Sequence, residues 1–155
     1  MKRLAILLIL LIPGLGAAAP EGVVRMHSTE AMDAVYDRVY QALEEKKFWV
    51  VFEADMGKRM AKNAELWGDA YNENQLGAVK SMVFCNIWWT NRIANADPDL
   101  LALCPLHLSL FEQNGETILV MPRLSVLAKG SEGQARAAEL EAELTAILET
   151  ALQGQ

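Results

Sequence analysis

The chain has 155 residues, with 14 basic and 20 acidic side chains and a formal net charge of −6. An acidic surface repels nucleic acid and anionic lipid, so neither is expected as a binding partner. The length suits one domain with a real hydrophobic core, and 52% of the residues are hydrophobic.

Residues 1–18 have the composition of a secretory signal peptide. Lys2 and Arg3 precede an apolar run from Leu4 to Ile12, Pro13-Gly14 ends that run, and small residues follow as far as Ala18. Basic, apolar and small-residue segments in this order are typical of export signals. The apolar run is shorter than the ~20 residues that a membrane-spanning helix needs. We therefore expect cleavage after Ala18, and a periplasmic or secreted protein that meets the membrane only during export.

Strands and helices alternate in the next part of the chain. Ser28 or Thr29 is a natural N-cap for the first helix, whose apolar residues recur at three- and four-residue spacing. Beta-branched and aromatic residues mark the strands. The expected elements are a strand at 22–27, a helix at 29–47, a strand at 48–56, a shorter helix at 57–67, a polar loop at 68–77 and a strand at 79–84.

Capping and turn residues place the elements that follow. Asn86 is suited to cap a helix that runs through Ala94, and Asp97-Pro98-Asp99 is suited to start another helical turn. Leu106 to Leu110 alternates strictly, which predicts a half-buried strand. Asn114-Gly115 is a strong hairpin signal, so a strand at 117–121 should return beside it. A Gly/Ser hinge at 129–133 then leads to an amphipathic helix at 134–152.

The resulting order is β-α-β-α-β-α-β-β-α, which indicates an α+β fold. The economical solution is a single mixed or antiparallel sheet with helices packed on it. We expect one α+β domain at 19–130, followed at 131–155 by an amphipathic helix that packs on this domain or on a partner.

One stretch of the chain is similar to a known family. The residues from Phe84 to Asn91 and from Asp97 to Glu112 resemble the core of family 302 of the domains of unknown function. Two features depart from that family's pattern, because Ile87 replaces a frequent proline and Cys104-Pro105 reverses the usual Pro-Cys order. The resemblance implies the α+β fold for residues 19–130, and it implies no assigned activity.

The two cysteines, Cys85 and Cys104, leave three alternatives open. An even number of cysteines in an exported protein favours a structural disulfide. The two could instead be buried free thiols. They could also form a redox pair, or a soft-metal site for copper or zinc with help from His107 and Met121.

The other candidate residues are Asn86, Trp88, Trp89 and His107. Adjacent residues on a helix point about 100° apart, so one tryptophan can enter the core while the other lies near the surface. His107 occupies an outward position in its alternating strand. These four residues are the expected ligand or partner surface, and the alternative is that both tryptophans pack in the core.

The sequence contains no convincing catalytic apparatus. Cys85, His107 and Asp97 include the residue types of a nucleophile, base and orienter, but their spacing does not require them to meet. No catalytic residue and no cofactor are predicted. The expected function is a non-enzymatic module that binds a small ligand, a periplasmic protein or, as a homodimer, itself. The alternative is a thiol-redox or soft-metal accessory protein that uses Cys85 and Cys104.

Overall fold

The computed structural model describes residues 19–154. The predicted export signal at 1–18 lies outside these residues. No helix within the described residues has both the length and the apolar character needed to cross a membrane. The strands are β1 (Val23–Ser28), β2 (Trp49–Asp55), β3 (Val79–Cys85), β4 (Leu106–Gln113) and β5 (Glu116–Pro122). The helices are α1 (Met32–Glu45), α2 (Met56–Ala61), α3 (Ala64–Trp67), α4 (Ile87–Ala96), α5 (Leu124–Leu127) and α6 (Gln134–Gln153), with 3₁₀ turns at Gly68–Ala70 and Pro98–Leu103.

The five strands form one antiparallel sheet in the order β1-β5-β4-β3-β2. The predicted α+β fold with a single sheet is confirmed. Asn114 and Gly115 form the hairpin between β4 and β5, and both have positive φ, 53° and 80°. A two-residue turn of this kind requires positive φ at both positions, which is why Asn-Gly favours it.

Helices α1, α4 and α6 pack against one face of the sheet and share a single core with it. Leu106, Leu108 and Leu110 of β4 point into this core, while His107 between them is exposed. The alternation predicted for this strand is confirmed. Leu140, Leu144 and Leu148 of α6 are also buried in the core, so the C-terminal helix packs on its own domain.

The start of the first helix differs from the prediction. Helix α1 begins at Met32, and its N-cap is Ala31, which has no capping side chain. The Ser28 hydroxyl instead donates to the Leu152 carbonyl at 3.1 Å and accepts from the Glu30 amide at 3.3 Å. The predicted cap at Ser28 or Thr29 is therefore wrong, because Ser28 joins β1 to the end of α6.

The helix predicted at 57–67 is also different in the structure. It is divided into α2 and α3, with a break at Lys62-Asn63, and none of the residues in either helix is buried. Most helical stability in proteins comes from packing an apolar face. Without such a face in the core, the chain here forms two short helices. The short helix α5 was not predicted, and it is anchored by the buried Leu124.

Candidate functional site

The candidate site is built around the start of α4. Asn86 caps this helix, since its Oδ1 accepts a hydrogen bond from the Trp89 amide at 3.1 Å. Its Nδ2 donates to the carbonyl of Lys46, just beyond the end of α1, at 3.4 Å. The cap predicted from the sequence is confirmed. The same side chain also ties α4 to the α1–β2 connection.

The two adjacent tryptophans of α4 have different environments. Trp89 is only 4% exposed, and its indole N–H donates to the Glu143 carboxylate at 3.1 Å. Trp88 is 57% exposed. The Arg92 guanidinium lies 4.5 Å from the Trp88 ring and 4.8 Å from the Trp89 ring, and it pairs with Glu139 at 2.7 Å. Helix α6 therefore fixes the buried tryptophan and the arginine, and Trp88 is left on the surface.

A large apolar surface lies beside Trp88, and we call it the tryptophan face. Each of its side chains is half exposed or more; they are Trp49, Val51, Phe52, Ile87 and Trp88. Trp49, Ile87 and Trp88 line one shallow groove together with Lys47 and Asn86. Val51 and Phe52 continue the surface along β2.

The β2 part of this surface was not predicted from the sequence. Phe48 is completely buried, and its ring meets that of Phe84 edge-on at 6.2 Å. Trp49 comes next in the chain and points the other way, as neighbouring residues do in a strand. Side chains of a strand point alternately to its two faces. Counting from the apolar Phe48, this alternation could have indicated that Trp49 is exposed.

Strand β2 is an edge of the sheet, but its backbone is partly protected. The Val50 amide donates to the Glu44 carboxylate at 2.7 Å instead of to another strand. The register with β3 shifts between Val50 and Phe52, as at a β-bulge. Capped amides and bulges discourage the addition of a further strand. Recognition at this edge therefore depends on side chains.

Charged residues stand before and at the far end of β2. Lys46 and Lys47 precede β2 and are exposed, whereas Glu53 and Asp55 stand at its far end. Hydrogen bonds from the backbone amide and the side chain of Lys58 lower the pKa of Asp55, so its carboxylate is charged at neutral pH.

The two cysteines meet at one hydroxyl group. The Thr90 Oγ1 atom lies 3.4 Å from Cys85 Sγ and 3.7 Å from Cys104 Sγ. Both thiols are free, so the disulfide expected from the sequence is not present in the structure. Burial raises the pKa of the Cys104 thiol, and the nearby Cys85 adds to this, while the contact with Thr90 acts in the opposite direction.

A protein-bound metal would need further ligands beside these sulfurs. Among residues 19–154, no group of three or more histidine, cysteine, aspartate or glutamate side chains is arranged to hold a metal ion. His107 and Met121 line a separate cavity of about 80 Å³ next to α5, which neither cysteine lines. The structure therefore does not gather the four predicted soft ligands at one place.

Cys85, Asp97 and His107, the candidate triad, do not contact one another through hydrogen bonds in the described residues. Cys85 contacts Thr90, and the Asp97 carboxylate accepts a hydrogen bond from the Ser131 hydroxyl. Of the predicted surface, Asn86 and Trp88 share the groove, Trp89 is buried, and His107 lies at the other cavity.

Comparisons with known proteins agree on the fold. The family model described as domain of unknown function DUF302 matches residues 24–151, which includes most of α6. The crystal structure of an uncharacterized conserved DUF302 protein from Bacillus stearothermophilus superposes with a TM-score of 0.71 at 17% sequence identity. The superposition covers 84% of this chain and 98% of that one. No curated protein matches the chain.

Proposed function

The chain belongs to the DUF302 family of domains of unknown function, and from that premise we propose that it is an exported, non-enzymatic interaction module whose tryptophan face docks against a second copy. The family assigns no activity, so the proposal rests on the geometry of this chain. Residues 1–18 support export by their composition.

The observation that carries the proposal is the exposure of the tryptophan face. Ile87 is 72% exposed and Trp88 57% exposed, and they adjoin the half-exposed Trp49 in one groove. Monomeric proteins rarely leave large contiguous apolar patches in water, and tryptophan is enriched at the centres of interfaces. Covering this face would remove apolar area from water at little conformational cost.

The shape of the face favours a protein over a small molecule. Small-molecule sites are concave and bury most of the ligand surface. Here the groove is shallow, and Val51 and Phe52 extend the apolar surface beyond it. A broad and gently contoured surface of this kind matches another protein surface.

The charges beside the face favour a second copy as the partner. Lys46 and Lys47 lie at one end of β2, and Glu53 and Asp55 lie at the other. In a two-fold arrangement with antiparallel β2 strands, Lys46 and Lys47 of each copy come near the Glu53 end of the partner's β2. Glu53 also accepts from Tyr36, and Asp55 is already paired with Lys58. Dimers of this symmetry use the same patch on both subunits, so the patch must be self-complementary.

The engagement of the candidate catalytic groups supports a non-enzymatic role. The Cys85 thiol contacts Thr90, and the Asp97 carboxylate is used by Ser131 and by the Asp99 amide. A nucleophile needs a base within hydrogen-bond reach. Cys85 and Asp97 therefore do not assemble with His107 into a nucleophile, base and orienter.

The test is the oligomeric state of the protein recovered from the periplasm of a Gram-negative host. Sedimentation velocity over a range of micromolar concentrations should show a dimer for the natural protein and a monomer for Ile87→Asp. Aspartate in the first turn of a helix is favourable, so this variant should keep its fold. The matched control is Leu127→Asp, which changes a 58% exposed leucine that lines the His107 cavity and not the groove and should remain dimeric.

Three results would contradict the proposal. If the natural protein is monomeric at every concentration, a second copy does not bind the tryptophan face. A dimer that survives Ile87→Asp places the interface elsewhere. If the protein retains residues 1–18 and stays in the cytoplasm, the proposed export is wrong.

A further inference from the structure

We propose that Cys85 and Cys104 form a modification site that converts reversibly between two thiols and an intramolecular disulfide by exchange with a small-molecule disulfide. This inference is independent of the docking of a second copy. It concerns the cluster of Cys85, Thr90 and Cys104, which adjoins the tryptophan face because Cys85 is the register partner of Trp49.

The backbone places the two cysteines side by side. Cys85 is the last residue of β3, and Cys104 comes two residues before Leu106, the first residue of β4. Phe84 and Leu106 are partners in the β3–β4 register. Opposed residues of antiparallel strands have Cα atoms about 4.5–5.5 Å apart, so this register brings the two cysteines near each other, and a bridge would need local movement because both thiols are free in the structure. Cys104 is displaced from the position opposite Cys85 by a single residue.

A single hydroxyl group contacts both sulfurs. Thr90 has one hydroxyl proton, which it donates to the Asn86 carbonyl at 3.0 Å. Its oxygen can therefore only accept from Cys85 at 3.4 Å and from Cys104 at 3.7 Å. One hydroxyl group therefore contacts both sulfurs in the reduced state, and forming a bond between the sulfurs requires these contacts to break.

Burial decides which sulfur attacks first. The thiolate is the nucleophile in exchange reactions. Burial raises the pKa of Cys104, so this sulfur supplies little thiolate at neutral pH. We therefore assign the first attack to Cys85.

The exchange proceeds in two balanced steps. The Cys85 thiol loses its proton and attacks one sulfur of a disulfide RSSR, which forms Cys85–S–S–R and releases RS⁻ that takes up the proton. The Cys104 thiol then loses its proton and attacks the Cys85 sulfur, which forms the Cys85–Cys104 bond and releases the second RS⁻ with that proton. Two protein thiols are oxidised by two electrons, and RSSR is reduced to two RSH.

Oxidation has a structural consequence for α4. A sulfur–sulfur bond of about 2.05 Å leaves no room for a hydroxyl between the two atoms. Thr90 must move away, and it lies one helical turn from Asn86 and two residues from Trp88. We expect the fluorescence of the exposed Trp88 to change when the bond forms.

The test measures thiols and mass on the natural, folded protein. Titration with oxidised glutathione should remove both free thiols and two hydrogen atoms from the intact mass. Peptide mapping should join Cys85 to Cys104, and an excess of reduced glutathione should reverse the change. The variant Cys104→Ser should stop at a mixed disulfide of Cys85 with glutathione. Thr90→Val should oxidise several-fold faster than Thr90→Ser, since only valine lacks the hydroxyl whose contacts with the sulfurs must break.

The opposite results overturn the inference. One is that the folded protein keeps two free thiols when treated with oxidised glutathione, while the unfolded chain loses both thiols under the same treatment. Another is a bridge that reduced glutathione does not open, which would be a permanent staple. Equal rates for Thr90→Val and Thr90→Ser would remove the role of the hydroxyl. Circular dichroism of each variant excludes unfolding as the cause, and these outcomes do not depend on whether the protein is a dimer.

Discussion

Replacing Asn86 by alanine should weaken the fold at the start of α4 by a measurable amount. The change removes the cap on the Trp89 amide, a loss of about 1 kcal/mol for a typical N-cap. It also removes the bond to the Lys46 carbonyl, which is long at 3.4 Å and so contributes only about 0.5 kcal/mol. The expected loss in the free energy of unfolding is about 1.5 kcal/mol. For a domain of this size, that loss lowers Tm by about 6 °C.

Differential scanning calorimetry of four proteins tests this prediction. Asn91→Ala is the matched control, because Asn91 is an exposed asparagine on the same helix, and it should change the free energy of unfolding by less than about 0.5 kcal/mol. Asn86→Asp keeps the capping oxygen and loses the donor to Lys46, so its Tm should fall between those of the natural protein and Asn86→Ala. If Asn86→Ala and Asn91→Ala have the same Tm, Asn86 does not stabilise α4 in the way the hydrogen bonds indicate.

Three further predictions concern the core, the hairpin and the pH dependence. Leu144→Ala in the buried face of α6 should cost about 2–5 kcal/mol in urea unfolding, and a cost no larger than that of the exposed Leu127→Ala would mean that α6 does not pack on the domain. Gly115→Ala should cost about 1–2 kcal/mol because φ is +80° there, whereas Gly22→Ala, in open space, should cost far less. The folded chain raises the pKa of Cys104 and keeps a proton that the unfolded chain loses. The urea midpoint should therefore fall as pH rises above about 8.5, and Cys104→Ser should lose this part of the slope.

Much of the secondary structure could be predicted because its causes are local. The alternation from Leu106 to Leu110 and the turn at Asn114-Gly115 each depend on a few neighbouring residues, and the structure confirms both. The single helix predicted at 57–67 was wrong because that prediction also used only neighbouring residues. Its local pattern is helical, but no part of the core receives it.

The candidate site was only partly predictable, because exposure depends on distant parts of the chain. The sequence could indicate that Trp88 and Trp89 diverge, but helix α6 decides that Trp89 is the buried one through Glu143. It could not indicate that His107 belongs to a different cavity. It also gave no reason to select Thr90, which matters only because its hydroxyl contacts both Cys85 and Cys104.

The α+β class, the hairpin, the Asn86 cap and the apolar stripe of α6 can all be predicted from the amino-acid sequence, since periodicity, capping and turn chemistry act over a few residues. The position of β2 at the sheet edge, the exposure of Trp49 and the meeting of Cys85 and Cys104 at the Thr90 hydroxyl depend on the folded chain. They depend on it because strand order and helix packing bring separate elements together. Those long-range contacts fix which side chains are left in water and which meet inside.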